Sequence, residues 1–316
     1  MKIACLLTPL NRKNLTLASQ IGVEEIVCSF PGADLSALRE LRDEVGAYGM
    51  RLTTVERFVP HHQIVHGLPG HEAQTEAIQR LIQNMGELGL TTLCYNWMPS
   101  EDWNRTRIDL PERGGALVTE FNIAEKPQVF HGASEGNAAV VTPPEKLWET
   151  LAAFQEQLVP VAEEAGINLA IHPDDLPLAQ LGGQAQLLGS PEALERAVSL
   201  VPSERNGLCF CQGTMASRGD LDIPATIARL GKHIRMVHFR DVVGDQNHFR
   251  ETFHDNGQTD MAAAWRAYEA VGLENVPIRP DHVPTMFGDT NEHAGYEMQG
   301  RLFAVGYMKG LRDACR

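Results

Sequence analysis

A (β/α)8 barrel is the fold class the sequence predicts, and three observations predict it. Eight short apolar, β-branched runs recur along the 316 residues. Helical periodicity fills most of the intervals between them, and reactive side chains close the last four runs. A doubly wound open sheet would show the same alternation, but it would not gather the ends of four successive strands around one point. A closed barrel does so at its mouth. One α/β domain over residues 1–316 then suffices.

In chain order, "KIACLLT" and "EEIVCSF" are the first two strands, and "DLSALRELRDEVGAYG" is the helix that follows the second. "RLTTVERF" is the third strand, followed by the histidine-rich "VPHHQIVHG" and the helix "HEAQTEAIQRLIQNMGELG". The fourth strand, "TTLCYNW", opens onto residues 98–141, which carry little periodic pattern. A connection this long is expected to be a functional loop inserted over the barrel mouth. The helix "PEKLWETLAAFQEQLVPVAEEAG" then leads to "NLAIHP", "NGLCFCQG", "IRMVHFRD" and "NVPIRPDH", strands five to eight. Helix boundaries are marked. The quoted helices close at glycine, Ser190-Pro191 has an N-cap followed by proline at the first helical position, and Thr142-Pro143-Pro144-Glu145 has capping-box spacing.

Composition narrows the function. With 41 acidic against 27 basic residues the net charge is −14, which repels phosphate backbones and anionic membrane surfaces and favours a small-molecule partner over a nucleic acid or a membrane. No apolar run approaches the roughly 20 residues that cross a bilayer, and Met1 leads straight into a strand, so the cytoplasm is the expected location. Six cysteines in a chain of this length do not make a disulfide framework. No glycine-rich nucleotide fingerprint follows the first strand, and no serine elbow is present.

Strand alternation places the chemistry. In "LAIHP" Ala170 and His172 share a face opposite Leu169 and Ile171; Cys209 and Cys211 oppose Leu208 and Phe210; His238 opposes Val237 and Phe239; Arg279 and Asp281 share a face. Two imidazoles, one thiolate and one carboxylate then point at a common axis. A lone buried His or Cys is more often a core residue, but four at equivalent strand ends favour a transition metal such as Mn, Fe, Co or Zn over Mg or Ca. His282, Asp241, His254 and Tyr296 are the candidates for proton transfer, each with orientation or packing as its plainer role. In "VPHHQIVHG", His62 is the candidate contact to a ligand, against the plainer reading of solvated loop histidines. The stretch "CYNWMPSEDWNRT" holds two of the four tryptophans beside acids, an amide and an arginine, a mixture suited to lining a pocket.

Together, "CYNWMPSEDWNRT", "IHPDD", "CQGT", "HFRDV", "FHDNGQTDM", "IRPDH" and "GRLFAVGYMKGL" resemble the metal-dependent D-mannonate dehydratases, xylose-isomerase-like barrels, over about residues 51–311. The resemblance implies dehydration of D-mannonate to 2-keto-3-deoxy-D-gluconate in hexuronate breakdown, with Mn²⁺, or Fe²⁺ as the alternative, on His172, Cys211, His238 and Asp281. Its Cys-x-Gly-Ser/Thr motif selects Cys211 over Cys209. It also implies substrate contacts from Asn96, Trp97, Asp102, Trp103 and Arg105, with Arg105 as carboxylate partner, and a reaction-centre role for Tyr296. A homo-oligomer is the expected assembly. The opening "MKIACLLTPLNRKN" and Val283 depart from the family pattern and bear on the sugar acid more than on the metal. A sugar isomerase or epimerase on the same barrel, and a non-catalytic sugar-acid binding protein, are the competing expectations; a metal-dependent endonuclease is disfavoured by the acidic balance.

Overall fold

Strands β1 (Lys2–Leu6), β2 (Glu25–Cys28), β3 (Arg51–Val55), β4 (Thr92–Tyr95), β5 (Asn168–Ile171), β6 (Asn206–Cys211), β7 (Ile234–Phe239) and β8 (Pro277–Pro280) pair in parallel and close into a barrel, β8 returning to β1. Each of the eight runs marked in the sequence supplies one of these strands. The structure is a computed structural model and describes residues 1–57, 59–99, 104–125, 128–129 and 140–315. A helix follows every strand: α1 (Arg12–Gln20), α2 (Leu35–Gly46), α3 (His71–Glu87), α4 (Pro144–Ala165), α5 (Pro191–Ser199), α6 (Ile223–Leu230), α7 (Met261–Ala270) and α8 (Met298–Ala314). Among the described residues, no helix is long and apolar enough to cross a membrane.

The period-2 alternation sorts side chains into two layers. Ala4, Leu6, Val27, Cys94, Ala170, Cys209 and Met236 cluster inside the barrel. Leu169, Ile171, Leu208, Phe210, Val237 and Phe239 pack outward with the helices, where Trp265 and Tyr268 of α7 are fully buried. Each such large apolar side chain contributes roughly 1.5–3 kcal/mol by leaving water. Local signals fix the helix starts: Ser190 accepts a hydrogen bond from the Ala193 amide at 3.2 Å, and Asp222 and Asp260 do the same for α6 and α7. The Thr142 capping box does not form. Pro143 is the N-cap of α4, and the Thr142 hydroxyl is instead 2.6 Å from His66 Nδ1.

The described part of the interval 98–141 is not patternless. Arg107–Pro111 and Leu117–Asn122 pair antiparallel, and the second pairs with His248–Glu251, which also pairs with Val242–Asp245. The sheet thus joins the connection after β4 to the connection after β7, on the side where the strands end. Leu117 and Thr285 exchange backbone hydrogen bonds of 2.9 and 2.8 Å, adding the segment after β8. Only weak alternation, with an exposed outer strand, announced these strands, because the second partner of Leu117–Asn122 lies more than a hundred residues away.

Candidate active site

The barrel register brings the strand ends together. Cys211 is the last residue of β6 and pairs with His238 near the end of β7, which pairs in turn with Arg279 of β8. His172 and Asp281 immediately follow β5 and β8. One ligand atom each from His172, Cys211 and His238 lies within 4.8 Å of the others. His172 Nε2 is 3.1 Å from His238 Nδ1, and Asp281 approaches Cys211 Sγ at 3.5 Å and His238 Nδ1 at 3.9 Å. Both imidazoles are oriented from behind. His172 Nδ1–H donates to the Pro173 carbonyl at 2.6 Å and His238 Nε2–H to Glu56 at 3.2 Å, which turns Nε2 of the first and Nδ1 of the second toward the cluster.

A chain of alternating buried charges surrounds this cluster. Arg279 forks onto Glu56 at 2.6 and 3.0 Å and donates to Asp281 at 3.0 Å. Arg240 donates to the other Asp281 oxygen at 2.6 Å and to Asp175 at 3.0 Å. Arg105 joins Asp175 at 3.1 Å to Glu251 at 2.6 Å. Burial alone would raise these carboxyls, but His282, Arg279, His238 and Arg240 hold Asp281 well below the usual range, and Glu56 and Glu251 are lowered by their own cationic neighbours. Cys211 responds in the same way: burial opposes ionisation, Arg240 and hydrogen bonds from His172 and His238 together outweigh it, and the thiol falls to about 5. The thiolate in turn keeps a proton on His172, raised to about 9 against burial. Gly213 is required by this packing, since a Cβ there would lie 2.5 Å from the Arg240 side chain.

Beside the cluster, His282 links Glu251 to Tyr296. Its Nδ1–H donates to Glu251 at 2.6 Å, leaving Nε2 to accept from the Tyr296 hydroxyl at 3.0 Å. Burial raises the Tyr296 phenol, which keeps it protonated, and the Arg57 guanidinium lies 4.4 Å over its ring.

The structure therefore gathers His172, Cys211, His238, Asp281, His282, Tyr296 and Arg105 into one buried assembly. Other described residues singled out in the sequence have contacts of their own. Trp97 is fully buried against Phe154, ring centroids 5.0 Å apart, with its indole N–H on the Leu147 carbonyl at 3.0 Å; this is a core position. Asn96 is half-buried and accepts from the Met98 amide at 3.1 Å. Its neighbour at 3.2 Å is His61, whereas the His62 ring lies 4.6 Å from His66. Asp102 and Trp103 lie outside the described residues. Arg105 is committed to Asp175 and Glu251. Asp241 accepts from the amides of Val242 and Thr259 and the Thr259 hydroxyl, so it ties down the loop that passes at Gly257. Sequence reading missed Glu56 and Glu251 altogether. A carboxylate closing "RLTTVERF", in line with the reactive ends of the later strands, was the available signal for Glu56.

His254 also sits outside the cluster. Its Nε2–H donates to the Phe239 carbonyl at 2.7 Å, and burial lowers its pKa to about 4. The unfolded chain would protonate near 6.5. A depressed folded-state pKa gives stability that is complete above 6.5 and is lost as pH falls toward 4, about 3 kcal/mol in all. His254→Gln should flatten the fall in thermal midpoint between pH 6.5 and 4; an unchanged slope would remove His254 from that role.

A closed (β/α)8 barrel with imidazole, thiolate and carboxylate donors on its strand ends belongs to the class of barrel enzymes built around a divalent cation. The D-mannonate dehydratase (UxuA) family model matches residues 11–131 and 139–316. A mannonate dehydratase of Streptococcus agalactiae serotype Ia is 30% identical over 300 residues, covering 88% of this chain and 85% of the relative; one of Thermotoga petrophila is 30% identical over 312 residues, covering 89% and 86%. The crystal structure of mannonate dehydratase from Streptococcus suis serotype 2 superposes with a TM-score of 0.91 at 30% identity, covering 100% of this chain and 93% of that one. A D-tagatose 3-epimerase-like protein, at a TM-score of 0.65 and 12% identity over 100% of this chain and 98% of its own, shares the fold. The chain belongs to the D-mannonate dehydratase family.

Proposed function

We propose that this protein dehydrates D-mannonate to 2-keto-3-deoxy-D-gluconate and water, with Mn²⁺, or alternatively Fe²⁺, held by His172, Cys211, His238 and Asp281. The observation that carries the reading is the convergence of those four side chains in a chain of this family. The donor set fits a divalent transition metal in charge as well as in kind. Once His172 and His238 give up their extra protons to act as ligands, Glu56, Asp281, Asp175 and Glu251 against Arg279, Arg240 and Arg105 leave one negative charge, and the Cys211 thiolate makes two.

When bound, the cation supplies Lewis-acid neutralisation of the substrate's negative charge, which makes the otherwise feebly acidic C2 proton removable. Tyr296 and His282 carry the proton work. The Tyr296 hydroxyl gives its proton to the departing C3 hydroxyl, which leaves as water while the C2–H electron pair becomes the C2=C3 bond. The proton lost from C2 passes to the His282–Tyr296 pair and restores the one the phenol delivered, and the enol product tautomerises to the keto acid. Glu251 fixes the His282 tautomer so that Nε2 faces the phenol. Asn96, Asp102 and Trp103 of the connection after β4 are assigned to the sugar chain, and Arg105 to holding Asp175 and Glu251 in place. A cytoplasmic homo-oligomer belongs to the same reading.

Metal-stripped protein assayed with D-mannonate and with its C2 epimer, adding back Mn²⁺, Fe²⁺, Zn²⁺ or Mg²⁺ one at a time, tests it. The expected result is a 2-keto-3-deoxy acid from mannonate with Mn²⁺ or Fe²⁺. An isomerised sugar acid, or saturable binding with no turnover under every metal, would overturn it.

A further inference from the structure

The barrel holds a second group of soft donors below the first. Cys94 of β4 and Cys209 of β6, both buried, place their sulfurs within 4.8 Å of each other and of one His238 ring nitrogen. Cys209 precedes Cys211 by two residues on the same strand face, so the pair lies one layer, about 6–7 Å, further from the mouth. The register explains how two non-neighbouring strands bring their thiols together. Cys94 pairs with Ala170 of the intervening β5, and Ala170 pairs on its other side with Gly207. Ala170, whose side chain is a single methyl group, packs with both cysteines inside the barrel, and the two sulfurs meet across it.

A disulfide does not suit this arrangement. Strands separated by one neighbour lie about 9 Å apart, whereas disulfide-linked Cα atoms lie about 4.4–6.8 Å apart. A cation of high sulfur affinity does suit it, because metal–thiolate bonds of about 2.3 Å span such a gap without moving the backbone.

We propose that Cys94, Cys209 and His238 form a second cation site, selective for thiophilic ions such as Cd²⁺ and Zn²⁺. Because a neutral imidazole has one lone pair, His238 ligates a cation in the upper cluster or in this one, not both. Occupation of the lower site therefore withdraws a ligand from the upper one, and thiophilic ions act there as inhibitors. All six cysteines are free thiols in the structure, five of them buried, so the readout must isolate this pair.

Cadmium titration followed by thiolate-to-cadmium ultraviolet absorption does so in a Cys211→Ser/Cys315→Ser background, which removes the upper thiolate and the half-exposed one. The expected result is a saturating charge-transfer band at one cadmium per chain, lost when Cys94→Ser and Cys209→Ser are added. Circular dichroism of each variant confirms the fold, and Cys209→Ala with Cys94→Ala replaces the serine pair if that pair does not fold. No band in the background protein, or a band that persists without both cysteines, would overturn the proposal. Neither result depends on turnover, so failure here is distinct from failure of the dehydratase reading.

Discussion

Arg240→Met should lower the stability of the folded protein by about 3–5 kcal/mol, a fall in Tm of roughly 5–15 °C. Arg240 is buried, and its guanidinium meets Asp281 at 2.6 Å, Asp175 at 3.0 Å and Glu251 at 3.2 Å. Methionine fills much the same volume but leaves those carboxylates without a shared cation in a place water does not reach. The loss is the cost of uncompensated buried charge rather than the net worth of an ion pair, which is why it exceeds that of any surface pair such as Arg229 with Glu192 and Glu195. Arg240→Lys should recover only part of it, since a single ammonium cannot fork between Asp281 and Asp175. Thermal unfolding followed by circular dichroism measures the effect, and a Tm within a degree of the parent would show that the charge chain relaxes around the gap.

The sequence made the barrel legible because its strands repeat a simple rule. Inward and outward residues alternate in "NLAI", "NGLCFC" and "IRMVHF", and the same rule placed His172, Cys211 and His238 at strand ends. What stayed hidden was pairing over distance. Glu56 reaches His238 across 182 positions and Arg105 reaches Glu251 across 146, contacts that exist only once the ring has closed. Trp97 shows the opposite failure: its neighbours are those of a pocket loop, but two residues past the end of β4 it turns into the layer under α4, where Phe154 and the Leu147 carbonyl receive it. Thr142 matched a capping pattern, and its hydroxyl went to His66 because the first turn of α4 begins one residue later than the pattern implied.

Cys211→Ser should abolish turnover and weaken Mn²⁺ binding on the order of 10²-fold or more, for reasons that local geometry supplies. Arg240 and the two imidazoles hold the sulfur as a thiolate near pH 5 and above, and Thr214 donates to it at 3.1 Å. A serine hydroxyl in that position stays protonated at neutral pH, so it brings no charge to the cation and leaves the cluster one negative charge short. The Arg240 and Asp281 contacts survive the change, which separates a metal defect from a folding defect.

X-ray absorption at the manganese edge, recorded on the Mn²⁺-loaded parent and on Cys211→Ser, puts the coordination itself to the test. One sulfur together with nitrogen and oxygen scatterers in the parent, and nitrogen and oxygen alone in the variant, is the predicted pair of spectra. A parent spectrum without sulfur, or a sulfur that remains after Cys211 is gone, would contradict the placement of the cation among His172, Cys211, His238 and Asp281.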